Sequence, residues 1–99
     1  MLDREAFLPY LNSEFTLRHN PDGTAACKLV EVSPATVMKT EKGTFLAFSL
    51  LFKADSAFLT SGSICHVSHL QLADMEIFLA PVGNGKKKHL LEACFTLRA

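Results

Sequence analysis

One run of eight residues, from Phe45 to Phe52, constrains the fold more than any other part of this chain. Alternate side chains of a β-strand point to opposite faces, and here both faces are apolar. Such a run predicts a strand in the middle of a sheet, with cover on both sides. The run is too short to cross a membrane, because a spanning helix needs about 20 apolar residues. Its two faces hold Leu46, Phe48, Leu50 and Phe52 on one side, and Phe45, Ala47, Ser49 and Leu51 on the other.

The composition is that of an ordinary globular protein with one domain over residues 1–99. The chain has 99 residues, of which 48% are apolar and 20% charged, and this length leaves no room for a second core. Ten basic residues balance ten acidic ones, so there is no long-range field to attract a nucleic acid. The lack of net charge and the two-faced strand favour self-association. We therefore expect a homo-oligomer or a partner protein, and neither nucleic acid nor membrane as a partner.

Cysteine usage and the first residues indicate a cytoplasmic protein. Cys27, Cys65 and Cys94 are an odd number at wide spacings, which fits reduced thiols better than a disulfide framework. The segment from Met1 to Glu5 carries acidic residues where a signal peptide would carry lysines. A protein exported inside an assembled particle would have the same features.

The periodicity of the chain predicts one short helix followed by strands. The helix, over residues 3–12, can be capped by Asp3 and should break near Leu8 because of Pro9. Turn sequences separate the strands, and a change of alternation near Leu29 indicates a bulge. Phe58 and Leu59 should return to the core after the central strand. The predicted strands are 14–19, 25–32, a short addition at 37–38, 45–52, 63–70, 75–81 and 88–97, with turns at 20–23, 41–43, 60–62, 71–74 and 83–85. Six to seven short antiparallel strands predict an all-β fold, either a small barrel or a sandwich.

The last two strands should form a hairpin centred near residue 85. Leu79 would then face Leu91, and Ile77 would face Ala93, on one apolar side of the hairpin. Met75 would lie opposite Phe95. The other side would be mixed, with Glu76 and Glu92 among apolar residues.

No group of residues has the spacing of a catalytic or metal site. In the cluster of Cys65, His66 and His69, the two histidines point to opposite faces of a strand. Cys65 and His69 lie about 13 Å apart, too far for one zinc ion. We expect His69 to be a buried, hydrogen-bonded structural residue, all three cysteines to be buried and inert, and neither metal nor cofactor to be bound.

Two further groups have simpler explanations than catalysis. Glu76 and Glu92 could pair as the carboxylates of a glycosidase, but a chain without tryptophan offers a poor sugar platform. The segment from Gly83 to Lys88 lacks the spacing of a phosphate-binding loop. Its lysines are typical of a solvated hairpin tip that keeps sheet edges apart.

Several segments resemble those of a family of small bacterial proteins known only as a domain of unknown function. The matching landmarks are Phe48–Phe52, Ser61-Gly62, His69, Ile77–Gly83 and Glu92–Phe95, and they cover nearly the whole chain. The chain departs from the family pattern at Leu72-Ala73-Asp74 and at Leu91. The resemblance implies an all-β fold and no established activity. Some relatives are encoded near phage-tail-collar-like proteins, which is a weak guide to function.

These observations favour a non-enzymatic structural or interaction protein, such as an accessory or assembly factor of a phage-tail-like particle. It would display a sheet face or edge to copies of itself or to a partner. The alternative is a small-ligand binding module, with a pocket inside the barrel lined by Phe48, Phe52, Phe78 and His69. A third hypothesis is an enzyme that uses His66 or His69 with a cysteine.

Overall fold

The computed structural model describes residues 4–20, 23–54, 58–59, 61–82 and 89–98. These residues form a short helical segment followed by seven antiparallel strands. The elements are α1 (Arg4–Phe7), a 3-10 turn (Leu8–Tyr10), β1 (Glu14–His19), β2 (Gly23–Val32), β3 (Thr36–Thr40), β4 (Gly43–Ala54), β5 (Ser63–His69), β6 (Leu72–Val82) and β7 (Leu90–Arg98).

Six of the strands close into a barrel. The strand order is β2-β1-β5-β6-β7-β4-β3, and β2 also pairs with β4, which joins the two ends of the six-stranded sheet. β3 lies outside this ring and extends the sheet from the first half of β4. The prediction of an all-β antiparallel fold with a short N-terminal helix is confirmed, and the barrel is the correct one of its two alternatives.

β4, which contains the two-faced run, is the strand with the most partners. Its second half pairs with β2, its first half with β3, and its opposite edge with β7 over nine residue pairs, Phe45–Arg98 to Lys53–Leu90. Its central position is therefore as predicted. On the inner face Phe48, Leu50 and Phe52 are buried and Leu46 is half-buried, whereas the outer face is covered only in part. There, the guanidinium of Arg98 lies 5.3 Å from the ring centroid of Phe45.

The N-terminal segment packs on the core of the barrel. Phe7 is fully buried, and its ring centroid lies 5.7 Å from that of Phe95 and 6.4 Å from that of Phe48. The helix gives way to a 3-10 turn at Leu8, as predicted, because Pro9 cannot donate a helical hydrogen bond. Arg4 anchors the segment by donating from Nε to the carbonyl of Ser33 over 2.6 Å.

β2 has the bulge that the sequence predicts, on the edge that pairs with β4. The pairing of β2 with β4 shifts between Leu29 and Glu31, which adds one residue to β2. Gly23 begins β2 with φ +93°, a conformation that favours glycine. Pro21 and Asp22 of the predicted turn lie outside the described residues, as does Asp3, the predicted helix cap.

The β5–β6 hairpin turns earlier than predicted. Its turn is at Leu70 and Gln71, and β6 already begins at Leu72, so the predicted turn at 71–74 is wrong. Val67 faces Met75 while His69 faces Leu72, and this irregularity lets the short turn fit. The hairpin joins the rest of the barrel by two short ladders of three residue pairs each, Thr16–Ser68 to Arg18–His66 on one side and Ala80–Glu92 to Val82–Leu90 on the other.

The register of β6 with β7 also differs from the prediction. Leu91 faces Pro81, not Leu79, so the strands are offset by two residues from the predicted pairs Leu79–Leu91, Ile77–Ala93 and Met75–Phe95. A shift of two residues leaves every side chain on its predicted face. The four residues Ile77, Leu79, Leu91 and Ala93 are accordingly buried. The predicted turn at 83–85 lies outside the described residues.

Side chains from every barrel strand fill the interior. Phe15 packs edge-on against Phe52, with ring centroids 5.3 Å apart, and both are fully buried. Leu59 is buried and Phe58 packs against the core, as predicted for the connection after β4. The buried residues in the described part of the chain are all apolar, and no buried polar side-chain atom there lacks a hydrogen-bond partner.

Candidate interaction surface

The most exposed apolar pair in the β5–β6 hairpin is Ile64 and Phe78. The two residues face each other across the ladder on its outer side and are 62% and 57% exposed. Single exposed apolar residues are common on protein surfaces, whereas contiguous apolar patches rimmed by polar residues mark interaction sites. We call these two residues the Ile64–Phe78 patch.

Gly62 leaves room for the ring of Phe78. A Cβ atom built on Gly62 would collide with the Cζ atom of Phe78, so the ring lies directly over the backbone of residue 62. The close approach of a ring to a backbone requires a residue without a side chain. Gly62 and Phe78 therefore form one unit, and both lie in segments that resemble the family landmarks.

Charged groups border the patch on the same outer face. His66 faces Glu76 across the ladder, and its Nε2 lies 3.0 Å from Oδ2 of Asp74. Arg18 of β1 lies opposite His66 on the other side. An apolar centre with a polar rim is the usual composition of a protein–protein contact surface.

His69 is a structural residue at the tip of the hairpin. Its Nδ1 accepts the backbone N–H of Gln71 over 3.0 Å, so the bonding pattern assigns the ring proton to Nε2. Nε2 lies 3.0 Å from Oγ of Ser13 and donates to it, and the Ser13 hydroxyl donates to the carbonyl of Tyr10 over 2.6 Å. The ring also contacts Tyr10 and Phe15, with centroids 4.7 and 4.6 Å apart. Both nitrogens have hydrogen-bond partners, as the sequence analysis expected, but His69 is only half-buried, so its predicted burial is wrong.

The four residues predicted to line an interior pocket are not brought together. Phe48 and Phe52 are buried in the packed core, at 5% and 0% exposure. Phe78 points away from the interior, and His69 lies at the hairpin tip. The predicted pocket of these residues is therefore wrong, because Phe78 belongs to the outer set of alternating residues on β6.

A surface cleft does lie beside His69. It has a volume of about 560 Å³ and runs along the join between β1 and β5. It is lined by residues of both strands and of the hairpin tip, namely Ser13, Glu14, Thr16, Ser68, His69, Leu70 and Gln71. The polar side chains among these can bind a polar molecule by hydrogen bonds.

The three cysteines differ in their exposure to solvent. Cys27 and Cys65 are buried, as predicted, but Cys94 is exposed on β7, so its predicted burial is wrong. Desolvation, followed by the charge of Glu14, raises the pKa of Cys27 to about 12. Desolvation and then the neighbouring Glu92 also raise the pKa of Cys94, which makes its thiolate less available as a nucleophile.

The carboxylates and metal-like residues do not form a site. Glu92 faces Ala80, whereas Glu76 faces His66 and precedes Ala80 by four residues of β6. The two carboxylates are therefore separated by about 13 Å along the strand. Within the described ranges, no three His, Cys, Asp or Glu residues are grouped as metal ligands would be. No helix in the part of the chain that the structure describes is long and apolar enough to span a bilayer.

Sequence reasoning missed Ile64 and Gly62 as parts of a surface site. The available signal was Ile64 itself, which shares the otherwise polar face of β5 with His66 and Ser68. An isoleucine in that set breaks the apolar-in, polar-out alternation of a half-exposed strand.

The fold and the patch define a small all-β barrel that exposes an apolar pair on one hairpin. The chain belongs to the family described as Domain of unknown function (DUF6916), whose model matches residues 2–95. The family resemblance found in the sequence is thereby confirmed. Searches of curated proteins and of solved structures found no match.

Proposed function

We propose that this protein is a non-enzymatic interaction protein that binds a partner chain through the Ile64–Phe78 patch. The observation that carries the proposal is the ring of Phe78, 57% exposed and seated over Gly62 beside Ile64. Exposing two large apolar side chains costs solvation free energy, and covering them with a partner recovers about 25 cal/mol per Å². The rim of His66 and the carboxylates of Asp74 and Glu76 would orient the partner.

The sheet geometry supports a partner that docks on a face. Ile64 and Phe78 stand on neighbouring strands with their side chains directed outward, which gives a partner two adjacent anchors on a rigid surface. Aromatic anchors in such a position usually contribute most of the binding free energy.

The test is a quantitative affinity capture from the native host with three immobilised proteins. We expect the wild type and Leu70→Ser to retain the same protein, and Phe78→Ser to lose it by at least about tenfold, a change of about 1.4 kcal/mol. Leu70 is the matched control, because it is an exposed leucine on the same hairpin but outside the patch. Equal retention by Phe78→Ser, or no specific retention by the wild type, would refute the proposal.

The finer proposal is that the protein is an accessory or assembly factor of a phage-tail-like particle. It is supported by the family resemblance alone. The identity of the captured protein decides it, because a tail or collar subunit would support this role and an unrelated enzyme would argue against it.

The cleft beside His69 favours a second function, the binding of a small polar molecule. The hydroxyl of Ser13 is already bonded to His69 and Tyr10, and Thr16, Ser68 and Glu14 supply the polar groups that could hold a polyol or an amine. A ligand at 100 times its dissociation constant would stabilise the fold by about 2.7 kcal/mol. A thermal-shift screen of polyols and amines would detect this, with Thr16→Val as the variant expected to lose the response.

A further inference from the structure

β3 is a strand whose outer edge has no partner among the described strands. It ends the strand order of the sheet and pairs only with β4. All five of its residues are exposed. A free edge offers a row of backbone N–H and C=O groups, so the chemistry that fits it is another extended chain.

An apolar row leads from the core to this edge. Leu97 packs against the core and faces Leu46, which faces Val37 on the same side of the sheet. Leu46 and Leu97 are half-buried, and Val37 is 58% exposed. The row therefore ends in an apolar side chain at the edge itself, two residues from Lys39, the one charged residue of β3.

We propose that β3 pairs edge to edge and antiparallel with β3 of a second copy, in a register centred on Val37. Val37 of each copy then faces Val37 of the other. The two apolar rows join into one row of six side chains, formed by Leu97, Leu46 and Val37 of each copy. The same surface serves both copies, as an isologous dimer requires. The inference rests on the proposed function as an interaction protein and adds a different surface and a defined partner.

The charges of the edge favour this register. With Val37 on the two-fold axis, Lys39 lies opposite Ala35 of the second copy, and the two ammonium groups are about 13 Å apart along the strands. A register centred on Lys39 would place these two charges face to face. The whole chain carries no net charge, so two copies do not repel each other at long range. Pro34, which has no N–H group, limits the ladder at its start.

The short ladder predicts a weak dimer. Few residues are joined, so the interface falls in the small size class of transient contacts. We expect a dissociation constant between about 1 μM and 1 mM. Sedimentation equilibrium across that range measures it directly.

A charge-swap pair tests the register. Because only the residue on the two-fold axis faces its own copy, Val37→Lys and Val37→Glu should each weaken self-association by at least about tenfold. An equimolar mixture of the two variants should restore a dimer. Lys39→Glu is the matched control, and it should dimerise like the wild type because Ala35 lies opposite. Circular dichroism checks that each variant is folded.

The outcomes separate this inference from the proposed function. A wild type that stays monomeric at about 1 mM, or a mixture that fails to associate, would overturn the β3 dimer and leave the Ile64–Phe78 proposal standing. A dimer lost in Phe78→Ser but kept in both Val37 variants would also overturn it, since self-association would then use the hairpin patch. A β3 dimer together with unchanged capture by Phe78→Ser would instead refute the proposed function.

Discussion

Truncating Phe7 should destabilise the whole barrel although the residue lies outside every strand. Phe7 is fully buried and packs against the rings of both Phe48 and Phe95, which stack on each other. Replacing a buried phenylalanine with alanine removes apolar burial and leaves a cavity, at a cost of about 3–5 kcal/mol. Small domains have a free energy of unfolding of only about 5–15 kcal/mol, so Phe7→Ala should lose a large part of the total.

Urea unfolding followed by far-UV circular dichroism measures this loss, since the chain has no tryptophan to report it by fluorescence. With a denaturant slope of about 1.5 kcal/mol/M, a loss of 3–5 kcal/mol lowers the midpoint by about 2–3 M. Leu8→Ala is the matched control, because Leu8 is the next residue and is 36% exposed, and it should cost less than about 1 kcal/mol. Equal midpoints for the two variants would show that the N-terminal segment is not docked as described.

Two further predictions concern single contacts. In a double-mutant cycle of Ser13→Ala and His69→Phe, we expect a coupling free energy of about 0.5–1.5 kcal/mol, because the substitutions remove the hydrogen bond between these side chains but keep the ring contacts of residue 69. Additive effects of the two substitutions on stability would contradict the hydrogen bond. Burial and Glu14 raise the pKa of Cys27 from 9.0 to about 12, so between these values the unfolded chain releases a proton that the folded chain retains. Stability should therefore fall as the pH rises above 9, by up to about 1.4 kcal/mol per pH unit. Between neutral pH and about pH 10, the urea midpoint should fall less in Cys27→Ala than in the wild type. An equal fall in the two proteins would refute the raised pKa of Cys27.

The strands of this fold were largely predictable because alternation is a local property. The run from Phe45 to Phe52 identified the strand with the most partners, and the change of alternation near Leu29 identified the bulge. Closure into a barrel was not predictable to the same degree. It depends on the pairing of β2 with β4, which a local pattern does not specify.

Pairing registers were harder to predict than strands. A shift of two residues between β6 and β7 keeps Leu79 and Leu91 on the inner face, so hydrophobic pattern alone cannot distinguish the predicted register from the observed one. The β5–β6 turn was placed too late because Leu70 and Gln71 are not typical turn residues, and the irregular pairing next to His69 makes the turn possible.

The candidate surface was missed for a related reason. Phe78 was predicted to line a pocket inside the barrel, although its position places it on the outer set of β6. The role of Gly62 could not be read from the sequence, because it depends on a ring sixteen positions further along the chain. The structural role of His69 was predicted, but its partners Ser13 and Gln71 follow from tertiary structure.

The position of β7 between β6 and β4 sets an order of events during synthesis. Synthesis of β4 ends with Ala54, but its longest ladder, the one with β7, can form only after residues from Leu90 onward have been made. At about 5–20 residues per second, the segment between the two strands takes about 2–7 s to translate. Throughout that interval the most apolar strand of the chain has an open edge, and an edge of this kind is prone to pair with other chains.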